Sequence, residues 1–278
     1  MKAIYTLWTK PCSRSSVCGY SNRRIFTQAA RLSVRLARRQ FGRVELVTDT
    51  EGREFVRQCG IKFDAVHTSL DRLADIHPKL WCYGKMEAYR LQTEPFMHLD
   101  FDVFIKRPLP LRRLFADKAL VFQGWEPAPT VSGNYARAIR ACEVLDCPAP
   151  PPWKHRGRAV VAGVVAGLEL DYVQRWCDLA ADWVENPRNR AFWERALRGG
   201  GFKFCVAMEQ YLPHEITPTS KIGVLLETAT SARELGFVHY AGTSKRDPQV
   251  EAKIRKHYRT LHDYTSEVVG PIFGDLDI

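Results

Sequence analysis

Apolar positions along the 278-residue chain follow two rhythms, short solid runs and longer stretches with a spacing of three to four residues. The runs at 3–8, 44–49, 63–67, 119–124 and 159–167 predict strands, because unbroken apolar stretches this short suit strands covered on both faces. Between them, Ile25, Ala29, Leu32 and Leu36 recur at helical spacing and predict a helix over about 22–40. Further helices are expected at about 53–59, after a break at Glu51-Gly52, and at 81–91, 135–145, 171–185 and 249–262, with a helical turn at 192–197. Residues 70–77 read as a helical or irregular link, and Met208 to Leu212 precede a second proline-containing loop. Strand, helix, strand in repetition is the grammar of an α/β fold with a mostly parallel sheet. Four prolines between Cys147 and Trp153 forbid regular structure and mark the loosest internal boundary. The two glycines in 159–167 suggest a tight turn or a ligand close to the backbone.

One apolar run is interrupted by charge. Phe96, Met97, Leu99, Phe101, Val103, Phe104 and Ile105 predict a buried strand closed by Pro108, yet Asp100 and Asp102 lie inside it. In an extended chain these carboxylates, with His98, project to the same face. Two neighbouring carboxylates without a partner are costly, whereas a divalent cation makes the placement favourable. Oxygen ligands suit Mg²⁺ or Mn²⁺. The plainer alternative is that Asp100 ends the strand and Asp102 caps the turn after it.

Composition narrows the class without naming it. A hydrophobic fraction of 45% supports a real core in one large domain or two small ones. The opening apolar stretch is too short for a signal peptide and no run reaches the roughly twenty residues of a membrane span, so a soluble, cytoplasmic protein is expected. The eight scattered cysteines never adopt Cys-x-x-Cys spacing and read as free thiols, although Cys12 and Cys18 flank a polar loop and have the option of pairing. A formal charge of +10 favours polyanions or phosphates, but no nucleic-acid-binding signature accompanies it. Arg24, Arg31, Arg35 and Arg38 form a basic stripe on the first helix, which is either a contact for anionic membrane or a solvated face.

The stretch from Phe96 to Val103 resembles the Asp-x-Asp strand of nucleotide-sugar-dependent glycosyltransferases, and His239-Tyr240-Ala241-Gly242-Thr243-Ser244-Lys245 resembles the H-x-x-G-x-x-K pattern of glycosyltransferase family 8. With both motifs in order, the chain is similar to that family, to the capsular-polysaccharide transferases and to uncharacterised bacterial glycosyltransferase-like proteins. The likeness runs from the first strand to about Lys245. It implies a single GT-A (Rossmann-like) domain over 1–278, with a mixed, mostly parallel sheet flanked by helices. About 1–115 would bind the nucleotide-sugar and about 116–278 would form the acceptor half and closing helix. The likeness also implies that Asp100, Asp102 and His239 hold Mn²⁺ or Mg²⁺, with Asp100 also near the donor's ribose, that Gly242 lets a loop approach the diphosphate, and that Lys245 binds phosphate. Trp8, Thr9 and Lys10 would lie in the loop that holds the base, with Asp49 at the end of the second strand as an acidic neighbour or a turn former. Lys85 would contact donor or nucleotide, or stand as an exposed helix charge. Glu209-Gln210 resembles an acceptor-side acidic-Gln pair and equally fits a helix end. Relatives carry Asn-Ala-Gly where this chain has Val161-Ala162-Gly163, so a sugar-contacting amide is missing.

The expected reaction moves a sugar from a nucleoside-diphosphate sugar, a UDP-sugar first among them, to a saccharide, small molecule or peptide. Family likeness favours retention. An inverting route would need a carboxylate base, for which Glu209 is the candidate. Two alternatives share the same aspartates: a nucleotidyltransferase-like enzyme releasing pyrophosphate, and a degenerate, non-catalytic binder of nucleotide-sugar or polyanion.

Overall fold

The computed structural model describes residues 1–12, 16–111, 115–126, 131–153 and 157–267. The polar loop at 13–15 and the end of the expected domain, 268–278, lie outside the described residues. Nine strands are found among the described residues: β1 (Lys2–Leu7), β2 (Val44–Thr48), β3 (Ala65–His67), β4 (Phe96–Leu99), β5 (Val103–Ile105), β6 (Leu120–Trp125), β7 (Val160–Gly167), β8 (Ile222–Val224) and β9 (Phe237–His239). Seven form one sheet in the order β3-β2-β1-β4-β7-β6-β8, while β5 and β9 make a separate antiparallel pair. Within the large sheet only β7 runs against its neighbours. The fold is therefore α/β with a mixed, mostly parallel sheet, as the alternation of runs and periodic stretches predicted.

The helices are α1 (Arg23–Arg38), α2 (Thr50–Gln58), α3 (Tyr83–Arg90), α4 (Ala136–Val144), α5 (Leu170–Glu185), α6 (Arg190–Ala196), α7 (Phe202–Val206), α8 (Leu212–Ile216), α9 (Ala229–Glu234) and α10 (Pro248–Glu267). They cover both faces of the sheet because neighbouring strand residues feed opposite cores. Ile4, Phe96, Phe122 and Val165 pack with α3 and α5, whereas Ala3, Tyr5, Met97 and Val164 pack with α1 and with Val250 and Ile254 of α10. The basic stripe of α1 is partly used inside the molecule: Arg31 donates to the Tyr258 hydroxyl at 2.8 Å and to the Cys59 carbonyl, and Arg38 pairs with Asp64 at 2.8 Å. All eight cysteines are free thiols.

Four local expectations are corrected. The second helix begins at Thr50, not Arg53, because Asp49 accepts the Gly52 N–H at 2.7 Å and caps it there; Gly52 lies inside the first turn. Residues 160–167 make one strand, bulged opposite Gln123, and its glycines admit neighbouring side chains instead of a turn. Pro213 occupies the first turn of α8 where a loop was expected, a position at which its missing N–H costs nothing. The fourth concerns the aspartates. The apolar run does not form one strand, since β4 ends at Leu99 and β5 begins at Val103 in the other sheet, with Asp100 to Asp102 as the turn between them. The Val103 N–H closes that turn on the Asp100 carbonyl at 3.0 Å.

Candidate active site

The strand order places β2 and β3 on one side of β1 and β4 on the other, so the chain reverses its direction of travel between β1 and β4. In open α/β sheets ligands bind beyond the carboxyl ends of strands at such a point. The segments after β1 and β4 are Trp8-Thr9-Lys10 and Asp100-Phe101-Asp102.

Phe101 pins the aspartate turn. It is buried, stacked on Tyr5 with ring centroids 4.9 Å apart and edge-on to Phe26 at 5.3 Å, while Tyr20 donates its hydroxyl to the Phe101 carbonyl at 3.3 Å. With the middle residue held in the core, its two neighbours bring their carboxylates together with His239. Antiparallel pairing of β5 with β9 sets His239 opposite Val103, and the Tyr240 N–H donates to the Asp102 carbonyl at 3.1 Å. Ligand atoms of Asp100, Asp102 and His239 all lie within 4.8 Å of one another. A late strand thus carries its histidine to an early turn by ladder hydrogen bonding.

Each carboxylate also has a lysine. Lys245 stands on a 3₁₀ turn (Gly242–Arg246) that Gly242 enters at φ +59°, a left-handed conformation suited to glycine. Its Nζ reaches Asp102 at 2.6 Å and donates to the Cys18 carbonyl at 2.9 Å. Lys85 of α3 bridges Asp100 at 2.7 Å and Glu209 at 2.6 Å. Glu209 is buried in a π-helical turn (Ala207–Tyr211) between α7 and α8, so the three segments supply one acidic side chain facing α3.

Burial alone would raise the Asp102 carboxyl, but His239 and Lys245 hold it below the usual carboxylate range. Burial opposes charge on Lys85 as well, and Asp100 and Glu209 outweigh it, keeping the ammonium charged to unusually high pH. Glu209 goes the other way: burial first, then repulsion from Asp100, lifts it to about 7 against the attraction of Lys85. His98 is buried and pushed down by burial and by Lys85, so it stays neutral. Its Nδ1 is 4.0 Å from Asp100 and 3.2 Å from the Tyr89 hydroxyl.

The acidic cluster fits a hard divalent cation. Asp102 Oδ1 is buried without a hydrogen-bond partner, His239 Nε2 stands 3.5 Å from it, and two carboxylates with one imidazole suit Mn²⁺ or Mg²⁺.

The remaining sequence candidates are distributed around this centre. Thr9 gives its N–H and hydroxyl to Asp49 at 2.8 and 2.7 Å, so Asp49 both caps α2 and holds the β1 loop. Trp8 is buried against α3, its Cβ 3.1 Å from where a Cβ on Gly84 would stand, a tight fit. Lys10 turns away to the Ile76 carbonyl at 2.7 Å and to that of Ala74. Gln210 accepts from the Tyr135 hydroxyl at 2.7 Å. Val161 lies opposite Gly124 in the β6–β7 ladder. Sequence reasoning missed Tyr20 and the Cys18 carbonyl, since neither a core tyrosine nor a backbone acceptor leaves a motif. It also missed Gln123, whose amide inside an otherwise apolar strand was a readable signal.

Fold and site together define a mixed-sheet α/β protein with an acidic, lysine-flanked cluster, a candidate cation site, at its topological switch point. The chain belongs to DUF6734, a family of unknown function, which it matches over residues 1–268. Among curated proteins, none matches it significantly. Several solved structures are similar in shape. Mouse xyloside xylosyltransferase 1 aligns at 13% identity and TM-score 0.41, over 81% of this chain and 85% of its own. The galactosyltransferase LgtC, solved with donor and acceptor sugar analogues, aligns at 10% identity and TM-score 0.48, over 94% and 96%. The bifunctional glycosyltransferase WbbM aligns at 9% identity and TM-score 0.43, over 92% of this chain and 51% of its own.

Proposed function

We propose that this chain is a GT-A-type glycosyltransferase that moves a sugar from a nucleoside-diphosphate sugar, a UDP-sugar in the first instance, to a saccharide, small-molecule or peptide acceptor with retention. The observation that carries the reading is the convergence of Asp100, Asp102 and His239 within 4.8 Å, with Lys245 and Lys85 on either side. Mn²⁺ or Mg²⁺ held by these three residues would supply Lewis-acid stabilisation of the diphosphate leaving group.

The side chains account for the rest. Lys245, already placed at the Asp102 carboxylate, is aimed to donate to a phosphate oxygen, and the open space around Gly242 lets a diphosphate approach the backbone there. Both contacts strengthen as charge accumulates on the leaving group, so they lower the barrier more than they tighten binding. Trp8 and Thr9, with Asp49 behind them, support the loop for the base. Lys85 holds Asp100 in place and restrains Glu209 on the acceptor side, where a carboxyl poised near neutrality would be the base of an inverting route.

The test is transfer from UDP-, GDP- and dTDP-sugars with Mn²⁺, comparing the wild type with Asp102→Asn and His239→Ala. Release of nucleoside diphosphate, lost in both variants, is expected. Release of pyrophosphate would turn the assignment to nucleotidyl transfer, and near wild-type metal-dependent turnover by either variant would overturn the site.

A further inference from the structure

β6 is apolar except for Gln123, and Gln123 Oε1 is buried with no hydrogen-bond partner. The ladder slips at this residue. Phe122 pairs with Val165 and Gly124 with Val161, so residues 162–164 of β7 lie opposite Gln123 as a bulge. Such bulges re-aim side chains next to sites. At its centre is Gly163, whose carbonyl accepts the Asp100 N–H at 3.0 Å. A Cβ on Gly163 would fall 2.5 Å from Gln123 Oε1, 2.5 Å from His239 Cε1 and 2.8 Å from His239 Nδ1. The amide oxygen and the Nδ1 side of the imidazole therefore both stand against the bare backbone of Gly163 without a hydrogen bond between them, while Nε2 faces Asp102 at 3.5 Å.

We propose that Gln123 is a positioning residue for His239. With a small rotation of the amide its unpartnered Oε1 accepts a hydrogen bond from Nδ1–H, which fixes the tautomer that leaves the Nε2 lone pair free for a cation held with Asp100 and Asp102. An imidazole ligand has one nitrogen for the metal and one for a partner, and the partner sets both ring orientation and basicity. The amide oxygen accepts and never donates, so with Oε1 rather than the NH2 turned to the ring Gln123 selects the Nδ1–H tautomer. Gly163 is required because any side chain there would separate the two groups. The inference rests on the cation site proposed above.

Two measurements test it, on the intact chain. Nitrogen and carbon NMR of the unliganded wild type at alkaline pH, where imidazole is neutral, reports the His239 tautomer, and Nδ1–H is expected. Mn²⁺ affinity by electron paramagnetic resonance is then compared for wild type, Gln123→Leu, Gln123→Glu and His239→Ala. Gln123→Leu should bind Mn²⁺ about tenfold or more weakly at an unchanged unliganded melting temperature, and Gln123→Glu, which keeps an acceptor, should bind nearly as the wild type does. An Nε2–H tautomer in the wild type overturns the inference even if Gln123→Leu does not fold. Equal Mn²⁺ affinity in wild type and Gln123→Leu, with His239→Ala impaired, overturns the role of Gln123 and leaves the site standing. Failure of the wild type to bind Mn²⁺ both with and without a nucleoside diphosphate overturns the cation site and the inference with it.

Discussion

Glu209 shows how a single residue's surroundings decide what it can do. Its carboxyl is buried between α3 and the π-helical turn, touched by Lys85, and lifted by that burial from an ordinary 4.5 to about 7. A folded pKa above the unfolded one means that the folded state binds the proton more tightly. The resulting stabilisation is complete below pH 4.5 and lost as pH rises through 7. Glu209→Gln cannot titrate, so the stability of the wild type relative to this variant should fall by roughly 3 kcal/mol between pH 4.5 and 7.5 in urea unfolding. A flat difference would mean that Lys85 keeps the carboxyl ionised throughout. This residue was legible in the sequence only as an acidic-Gln pair, because nothing local tells that Lys85, far away in the chain, turns inward to meet it. Lys85 itself reads equally well as an exposed helix charge. Asp102 and His239 were more visible, since a carboxylate inside an apolar run is costly enough to need a partner wherever the chain places it.

At the scale of elements, the run from Phe96 to Ile105 was legible as buried and strand-like, but not as two strands in two sheets. Alternation alone predicts Asp100 and Asp102 on one face of a continuous strand. What separates β4 from β5 is a long-range event, the capture of 103–105 by β9, and local pattern carries no record of it. The same limit hid β8 and α9, which are too short to show a period. The turn that results depends on Phe101 in its aromatic nest. Phe101→Leu removes ring contacts with Tyr5 and Phe26 while keeping an apolar side chain, so it should cost about 1–2 kcal/mol in denaturant unfolding. It should also weaken Mn²⁺ binding, because the aspartates on either side lose their anchor. Destabilisation with Mn²⁺ affinity unchanged would show that the β5–β9 ladder holds the turn alone.

The whole molecule assembles its site from both ends of the chain. β1 and β4 supply the loops of the switch point, α3 the first lysine, the π-helical turn Glu209, and β9 with its following turn His239 and Lys245. The unfolded chain has no such constellation, so a nucleotide and cation that bind there bind the folded state alone. Stabilisation then follows ligand concentration as RT ln(1 + [L]/Kd), about 2.7 kcal/mol at a hundred times Kd. For a chain of this size each kcal/mol raises the midpoint by about 2 °C, so the cognate nucleoside diphosphate with Mn²⁺ should lift the melting temperature by about 5 °C. The dependence on both components carries the argument. In the unliganded chain Lys245 and Lys85 already neutralise the aspartates, so a nucleotide without cation gains little beyond Lys245, and a cation without nucleotide must compete with two ammonium groups. On the proposed function, a bound diphosphate would draw Lys245 towards itself and a cation would take its place at Asp102. The joint shift should therefore exceed the sum of the separate shifts, and Lys245→Ala should remove that excess. Shifts that simply add, or a nucleotide shift equal with and without Mn²⁺, would mean that the two bind independently.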